Sequence, residues 1–426
     1  MIKNWLSSLF EVSSFKLDHI SLKQSDSWSL KNGSLRHNSD KFFKVTGLRW
    51  LSSEGKVEER PFLDQREIGT LGFIVREKDS KHEILIQAKI EPGNISIIQL
   101  APTCQATESN AKRVHGGNFP PFIEYFNPTA KEIIYDVLQS EQGTRFFCKR
   151  NRNALIFVKD EILVPSSHRW LKIEEMLDLL HENYIVNTDA RSVLVSAPWK
   201  SLVGRAPFSR YKNGFGSELF ASANDIPNPK ALNIIKSEIK TMRNNSVPSK
   251  IIGLHEMKGF KINRNGHISF PINHFQIKQI KVAVLGREVK SWDQPIIDSA
   301  NEGRIILICG RSKKGILKFL FRANREPGLF NHVELTPTIV IEPGLTRDKS
   351  INIPAGKVVA ECLQSEEGSR FYQDTNYFSI IDTGNIYEVT QGYYWLTLEQ
   401  IRKLLDEEGW FTNEARSALS LLLPWM

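Results

Sequence analysis

One segment of the chain concentrates residue types suited to proton transfer. In Arg113-Val114-His115-Gly116-Gly117 an imidazole, which exchanges protons near neutrality, follows a guanidinium and precedes two glycines. Glycine has no Cβ, so this backbone would come close to a ligand. A second candidate is Glu141, a rival acid or base in the run Leu138-Gln139-Ser140-Glu141-Gln142-Gly143-Thr144-Arg145-Phe146-Phe147-Cys148. The basic–aromatic runs Arg145-Phe146-Phe147 and Arg370-Phe371-Tyr372 would neutralise and stack on a nucleotide. No continuous basic track joins them, so one nucleoside diphosphate per run fits better than a nucleic-acid polymer.

Missing motifs narrow the chemistry. Gly214-Phe215-Gly216 does not continue into G-x-G-x-x-G, which disfavours a nicotinamide or flavin on a dinucleotide fold. Gly310-Arg311-Ser312-Lys313-Lys314-Gly315 has the glycine spacing of a phosphate loop, but Ile316-Leu317 replaces the Lys-Ser/Thr pair, leaving a hairpin turn. No tyrosine has a lysine four residues on. Cys104, Cys148, Cys309 and Cys362 are dispersed and no H-E-x-x-H occurs, so neither a metal site nor a disulfide framework is expected.

The elements that must hold these residues are duplicated. The run from Leu138 reappears as Leu363-Gln364-Ser365-Glu366-Glu367-Gly368-Ser369-Arg370-Phe371-Tyr372-Gln373 at an offset of 225, and Trp170-Leu171 and Ala190-Arg191-Ser192 return as Trp395-Leu396 and Ala415-Arg416-Ser417. Upstream the offset is 235, pairing Glu91-Pro92-Gly93 with Glu326-Pro327-Gly328 and Leu100-Ala101-Pro102-Thr103 with Leu335-Thr336-Pro337-Thr338. The segment that the second copy lacks lies in Arg113 to Pro121, an elaborated loop of the first half, where function concentrates.

Strands are expected over Leu71 to Val75, Glu83 to Ile90 and Asn94 to Leu100, with counterparts at Arg304 to Cys309 and Leu317 to Ala323. Two helices close each half. Thr397-Leu398-Glu399-Gln400 is a capping box, whereas Lys172 takes the equivalent place in the first half. A further helix is expected near Lys230 to Met242, with Lys236, Lys240 and Arg243 on a solvated face. Strands first and helices last argue for an α+β fold with pseudo-twofold symmetry. The predicted division is a polar N-terminal leader (1–40), a first repeat (41–199), a connecting segment (200–277) and a second repeat (278–426).

With 426 residues, 41% hydrophobic, 24% charged, a net charge of +8 and a mean hydropathy of −0.30, the composition is that of a packed globular protein. Apolar runs are too short to span a bilayer and the opening residues fail as a secretory signal, so a soluble cytoplasmic protein is expected, bound to neither membrane nor nucleic acid.

Several blocks closely resemble the NDP-hexose 2,3-dehydratase family. They are Glu91-Pro92-Gly93-Asn94, the segment Gln99 to Thr107, Ser109-Asn110, Arg113 to Gly117, Gln139 to Phe146, Lys149-Arg150-Asn151-Arg152-Asn153, and in the second half Arg287-Glu288-Val289 and Trp292-Asp293-Gln294-Pro295. The resemblance implies two Nudix-like halves, a homodimer, no dissociable cofactor, and a substrate that is a thymidine-diphosphate-linked 4-keto-6-deoxyglucose. A downstream NADPH-dependent 3-ketoreductase is implied as pathway partner. No Nudix box occurs, which disfavours a metal-dependent pyrophosphohydrolase.

Dehydration needs a base near C3, donors facing the C4 oxygen and an acid near the C2 oxygen. His115 leads for a catalytic role, with Glu141 as its rival. Arg113 and Arg145 suit the diphosphate. Thr103, Gln105, Thr107 and Asn110 suit hydrogen bonds to sugar or enolate, and Trp50 would stack on the base or sit in the core. Gly116, Gly117, Gln139, Arg150 and Arg152 complete the expected binding set. Because Leu335-Thr336-Pro337-Thr338 runs into Ile339-Val340-Ile341-Glu342-Pro343 where the family repeats its first block, chemistry is expected in the first half. A structural or vestigial second site would use Thr338, Gln364, Glu367, Arg370 and Tyr394. The alternative is a sugar-nucleotide binder of the same fold without turnover.

Overall fold

Apolar alternation builds a strand-rich protein around one shared core. The computed structural model describes residues 2–52, 55–113, 118–127, 132–226, 228–246, 248–270, 275–285, 289–299, 302–343 and 355–426. The first repeat opens with α1 (Ile2–Val12), β1 (Lys16–Ile20), β2 (Trp28–Lys31), β3 (Ser34–His37), β4 (Lys44–Leu51) and β5 (Val57–Asp64). It continues through β6 (Gly69–Lys78), β7 (Lys81–Ile90), β8 (Ile98–Ala101), β9 (Cys104–Ala106) and α2 (Glu108–Ala111). It closes with β10 (Ile133–Ser140), β11 (Arg150–Phe157), β12 (His168–Lys172), α3 (Ile173–Asp178) and α4 (Thr188–Ser196). Two helices, α5 (Trp199–Val203) and α6 (Gly214–Ala223), bridge to the second copy.

The second copy begins with α7 (Pro229–Asn244), β13 (Lys250–Ile252), β14 (Lys261–Ile262), β15 (Ile268–Phe270), β16 (Phe275–Ala283) and β17 (Ser291–Asp298). Then come β18 (Glu302–Arg311), β19 (Leu317–Arg325), β20 (Val333–Pro337), β21 (Ile339–Ile341), β22 (Lys357–Ser365) and β23 (Thr375–Asn385). The last elements are β24 (Tyr393–Leu396), α8 (Leu398–Leu405) and α9 (Asn413–Ser420).

The duplication expected from sequence is visible in the connectivity. One seven-stranded sheet runs β10-β11-β6-β7-β12 with β8 on β7 and β9 on β6; the other runs β22-β23-β18-β19-β24 with β20 on β19 and β21 on β18. In each, the one parallel pairing along this path (β11 with β6, β23 with β18) sits among antiparallel ones, so the architecture is α+β, as read from sequence. Leu71, Phe73 and Val75 point into the same core as Ile305, Leu307 and Cys309, beside the closing helices of both copies. The neighbouring residues Ile74 and Ile306 face two smaller clusters on the far sides, as strand alternation requires. The capping box at Thr397 is present, with Thr397 N–H donating to Gln400 Oε1 at 3.0 Å, while Lys172 gives α3 no side-chain cap. The Gly310–Gly315 run is the hairpin between β18 and β19.

The repeats begin earlier than the sequence division places them. Residues 2–37 are not a bare leader but carry α1 and β1–β3, and their counterparts α7 and β13–β15 lie in the supposed connecting segment. Weak local similarity hid this, because two- to five-residue strands carry little pattern. Arg243 also departs from the expected solvated face: its guanidinium donates to the Val333 carbonyl at 2.9 Å and stacks 4.7 Å over Trp410.

Each copy lends its first strand to the other. β1 pairs with β16 of the second copy (Lys16 opposite Ala283), and β13 pairs with β4 of the first (Lys250 opposite Arg49). The turns interlock in the same reciprocal way. Gly93 N–H donates to the Gly368 carbonyl and Gly328 N–H to the Gly143 carbonyl, each at 2.7 Å. A Cβ on Gly93 would lie 1.8 Å from the Phe371 carbonyl oxygen, and one on Gly328 2.0 Å from that of Phe146, so the E-P-G motif is glycine for close approach.

Candidate active site

A cavity of about 480 Å³ opens where the seven-stranded sheet of the first copy meets two five-stranded sheets, β13-β4-β3-β2 with β5 on β4 and β1-β16-β15-β14 with β17 on β16. One wall is aromatic. Trp28 on β2, His37 on β3 and the following Phe42 and Phe43 are packed together, with Trp28 and Phe43 ring centroids 4.7 Å apart and His37 and Phe42 4.5 Å apart. Trp292 and Gln294 on β17 complete it, fixed by the Trp292 indole donating to Gln294 Oε1 at 2.8 Å. Burial lowers the His37 pKa, against the raising pull of Asp293.

Two cations face the cavity between this wall and its floor. Arg370 donates through Nε and Nη2 to Gln65 Oε1 at 3.2 and 3.0 Å and lies 4.2 Å over the Phe43 ring. Lys149 Nζ donates to the Glu67 carbonyl at 2.5 Å; burial lowers its pKa, opposed by the carboxylates of Glu367, Glu141 and Glu67. A third, Lys89, donates to the Gln105 carbonyl at 2.9 Å.

The floor is polar and tied together. Gln105 donates to Glu91 Oε1 and accepts from Asn187 Nδ2, both at 3.0 Å. Thr107 caps α2 by accepting from Asn110 N–H at 3.2 Å. Glu67 accepts from Ser109 N–H at 2.8 Å and anchors that helix. Asn151 accepts from Gly69 N–H at 3.0 Å and donates to Glu141 Oε1 at 2.7 Å, and Asn413 Nδ2 donates to the other Glu141 oxygen at 3.0 Å. Burial, with the charge of Glu367 second, pushes the Glu141 pKa up to about 7. Asp189 at the start of α4 reaches the floor and is 4% exposed. Burial and the nearby carboxylates of Glu141, Glu367 and Glu91 hold its pKa well above the usual carboxylate range, with Lys89 opposing.

The expected binding residues divide. Gln105, Thr107 and Asn110 line the cavity, and so do Glu367 and Arg370, which sequence reasoning assigned to a second-half site. Their side of the turn crosses into the first copy because the two copies interlock. By the same crossing Arg145 is carried away from the cavity into the second copy. There it donates to Ser299 Oγ at 2.6 Å, lies 3.7 Å from Asp374, and stacks on Phe275 and Phe371.

The remaining candidates do not line the cavity. Thr103 is fully buried, with its hydroxyl accepting from Ile74 N–H at 3.0 Å and donating to the Leu85 carbonyl; Thr338 repeats this with Ile308 and Leu320. Gln139 is buried beside the Tyr135 hydroxyl, Gln364 is buried in the equivalent place, and Tyr394 donates to Glu238 at 2.9 Å. Trp50 packs on Phe62, with Arg60 over its ring. Arg150 pairs with Glu408 and stacks on Phe330; Arg152 pairs with Asp136. Arg113 has a left-handed backbone and lies 4.9 Å over Phe119. His115, Gly116 and Gly117 fall outside the described residues. Glu141 is a neighbour of the lining rather than part of it, acting on the cavity through Asn151.

Sequence reasoning missed Asp189, Lys89, His37 and Phe42, and gave Lys149, Glu91, Trp292 and Gln294 no role beyond their place in repeated or family motifs. Asp189 sits within Asn187-Thr188-Asp189, which reads as an ordinary helix start, with Asn187 accepting from Ala190 N–H at 2.9 Å.

The equivalent place in the second copy is nearly closed, at about 10 Å³, walled by Arg145, Val340, Glu342, Glu366, Asn376 and Glu414. Among the described residues no group of three or more His, Cys, Asp or Glu is arranged to hold a metal ion, and no helix is long and apolar enough to cross a membrane.

A family model described as NDP-hexose 2,3-dehydratase matches residues 1–196 and 235–422, so both copies are covered from their first helices. The chain is similar to a dTDP-4-dehydro-6-deoxy-alpha-D-glucopyranose 2,3-dehydratase from Amycolatopsis orientalis, 29% identical over 99% of this chain and 89% of that protein. Proteins of the same description from Saccharopolyspora spinosa (30% identical; 98% of this chain, 90% of that protein) and Streptomyces violaceoruber (31%; 91% and 88%) are similar throughout as well.

Proposed function

The chain belongs to the NDP-hexose 2,3-dehydratase family, and we propose that its 480 Å³ cavity removes water across C2 and C3 of a dTDP-linked 4-keto-6-deoxyglucose. It is a hydro-lyase of deoxysugar biosynthesis rather than a non-catalytic binder. The observation that carries the site assignment is the cavity's division into an aromatic wall, a cationic middle and a carboxylate-rich floor, matching the base, diphosphate and ketosugar of such a substrate.

In this reading the thymine lies against Trp28, Phe42 and Trp292, and Arg370 faces the diphosphate. The C4 ketone makes the C3 proton acidic. His115 takes that proton, and Lys149 offers positive charge to the enolate oxygen. A positioned acid or base contributes roughly 10²–10⁴-fold and an enolate donor roughly 10²–10³-fold. Glu141 is a positioning residue that orients Asn151. Expulsion of the C2 hydroxyl gives an enol that becomes a 3,4-diketo-2,6-dideoxy sugar. A product of this reactivity calls for a reductase to consume it, and we assign that to an NADPH-dependent 3-ketoreductase. Two Nudix-like halves per subunit, a homodimer and a cytoplasmic location complete the proposal.

The test is incubation with dTDP-4-keto-6-deoxyglucose in D₂O, followed by proton NMR, with a 3-ketoreductase and NADPH as trap in a parallel sample. Loss of the C3 proton together with a trapped 2-deoxy sugar is expected. An unchanged spectrum with substrate bound would overturn the proposal.

A further inference from the structure

Among the described residues four carboxyl groups line the cavity, and three of these are already engaged by the protein. Glu91 accepts from Gln105 Nε2 and Asn94 Nδ2, Asp293 from Ser25 Oγ and Gln279 Nε2, and Glu367 from Ser369 Oγ. Asp189 is the exception: its carboxyl is buried at the cavity floor and accepts no side-chain or backbone hydrogen bond among the described residues. A carboxyl that opens on a cavity with no protein partner is left for a group inside the cavity to engage. Burial, and after it the like charge of Glu141, Glu367 and Glu91, favours the protonated form that an acid needs before substrate turns over.

Resting on the function proposed above, we propose that Asp189 is the general acid that protonates the departing C2 oxygen. Hydroxide is a poor leaving group, so the C2–O bond breaks as the Asp189 proton passes to that oxygen and water departs. The enolate electron pair moves from C3–C4 into the new C2–C3 double bond and the C4 carbonyl is restored. Asp189 is left as carboxylate. The proton taken from C3 by the base returns to it through solvent, so the cycle closes with loss of one water and no redox change.

The discriminating measurement separates C3 proton exchange from C2–O cleavage. Asp189→Asn is expected to lose trapped turnover by about 10²–10⁴-fold while C3 exchange in D₂O and thymidine diphosphate affinity stay within about threefold of wild type. The analogue with fluorine in place of the C2 hydroxyl, which leaves as fluoride without a proton, is expected to bring the variant back to within about tenfold of wild type. Should the asparagine variant fail to fold, Asp189→Ser is read the same way. Wild-type turnover in the variant, loss of C3 exchange along with turnover, no rescue by the fluoro analogue, or loss of thymidine diphosphate binding in both variants would each remove Asp189 as the acid. A wild-type enzyme that neither exchanges C3 nor releases water would instead overturn the reaction itself, and the assignment with it.

Discussion

Equivalent residues of the two copies surround about 480 Å³ in one case and about 10 Å³ in the other, and the aromatic wall belongs to the larger space alone. Several side chains are exchanged between them. Where the first copy has Gln65 and Lys149 beside Arg370, the second has Ser299 and Asp374 beside Arg145. Asp374 accepts from Ser299 Oγ at 2.6 Å and lies 3.7 Å from Arg145, so that guanidinium is spent inside the protein. Gln105 gives way to Val340, and Thr107 to Glu342, which Arg60 pairs at 2.8 Å. In the open copy the matching arginine meets a neutral amide and a second cation, leaving positive charge for a ligand. The partner of one arginine is thus among the exchanges that separate the open copy from the closed one.

Copying the closed site into the open one is the most severe test. Lys149→Asp gives Arg370 the ion pair that Arg145 has, and trapped turnover is expected to fall by roughly 10³-fold or more, because both the diphosphate and the enolate lose a cation. Retained turnover would show that the exchanged pair does not distinguish the copies. The two arginines should then part company. Arg145→Met leaves Asp374 buried and unpaired, and denaturant titration should register a loss of about 3–5 kcal/mol. Arg370→Met should leave stability nearly unchanged and weaken thymidine diphosphate binding by about 10–100-fold in a calorimetric titration.

A smaller effect concerns the matched pair Glu141 and Glu366. Burial pushes Glu366 up to about 7, above its ordinary 4.5, so the folded state holds its proton more tightly than the unfolded one. Its contribution is therefore fully present below about pH 4.5 and is lost as pH rises through about 7. Between pH 5 and 8 wild type should lose on the order of 2–3 kcal/mol relative to Glu366→Gln, with turnover at pH 7 little changed. Parallel stability curves for the two proteins would show that Glu366 does not titrate as described.

The halves, their strands and the closing helices were legible because repeated motifs such as Leu-Gln-Ser-Glu at Leu138 and Leu363 keep one offset over long stretches. What repetition could not show is which copy a residue faces. Arg145 and Arg370 are equivalent in sequence, yet each crosses into the opposite copy, so the sequence reading put each on the wrong side. The E-P-G turns at Gly93 and Gly328 are the physical reason, since each docks on the other copy's carbonyls. Asp189 was overlooked for another reason. A carboxylate two residues into a helix is common for stabilising the helix start, and only its burial near the charges of Glu141, Glu367 and Glu91 gives it different chemistry.

The strand exchange has a consequence for how the chain is made. β1 leaves the ribosome about 260 residues before β16, the strand it pairs with. At roughly 5–20 residues per second that is a wait of the order of ten seconds or more, with the backbone of β1 unpaired. Contacts so distant in sequence also slow folding of the finished chain. The first repeat therefore cannot complete itself while it is being translated, and a nascent chain cut short before β16 should be a substrate for chaperones or proteases rather than half an enzyme.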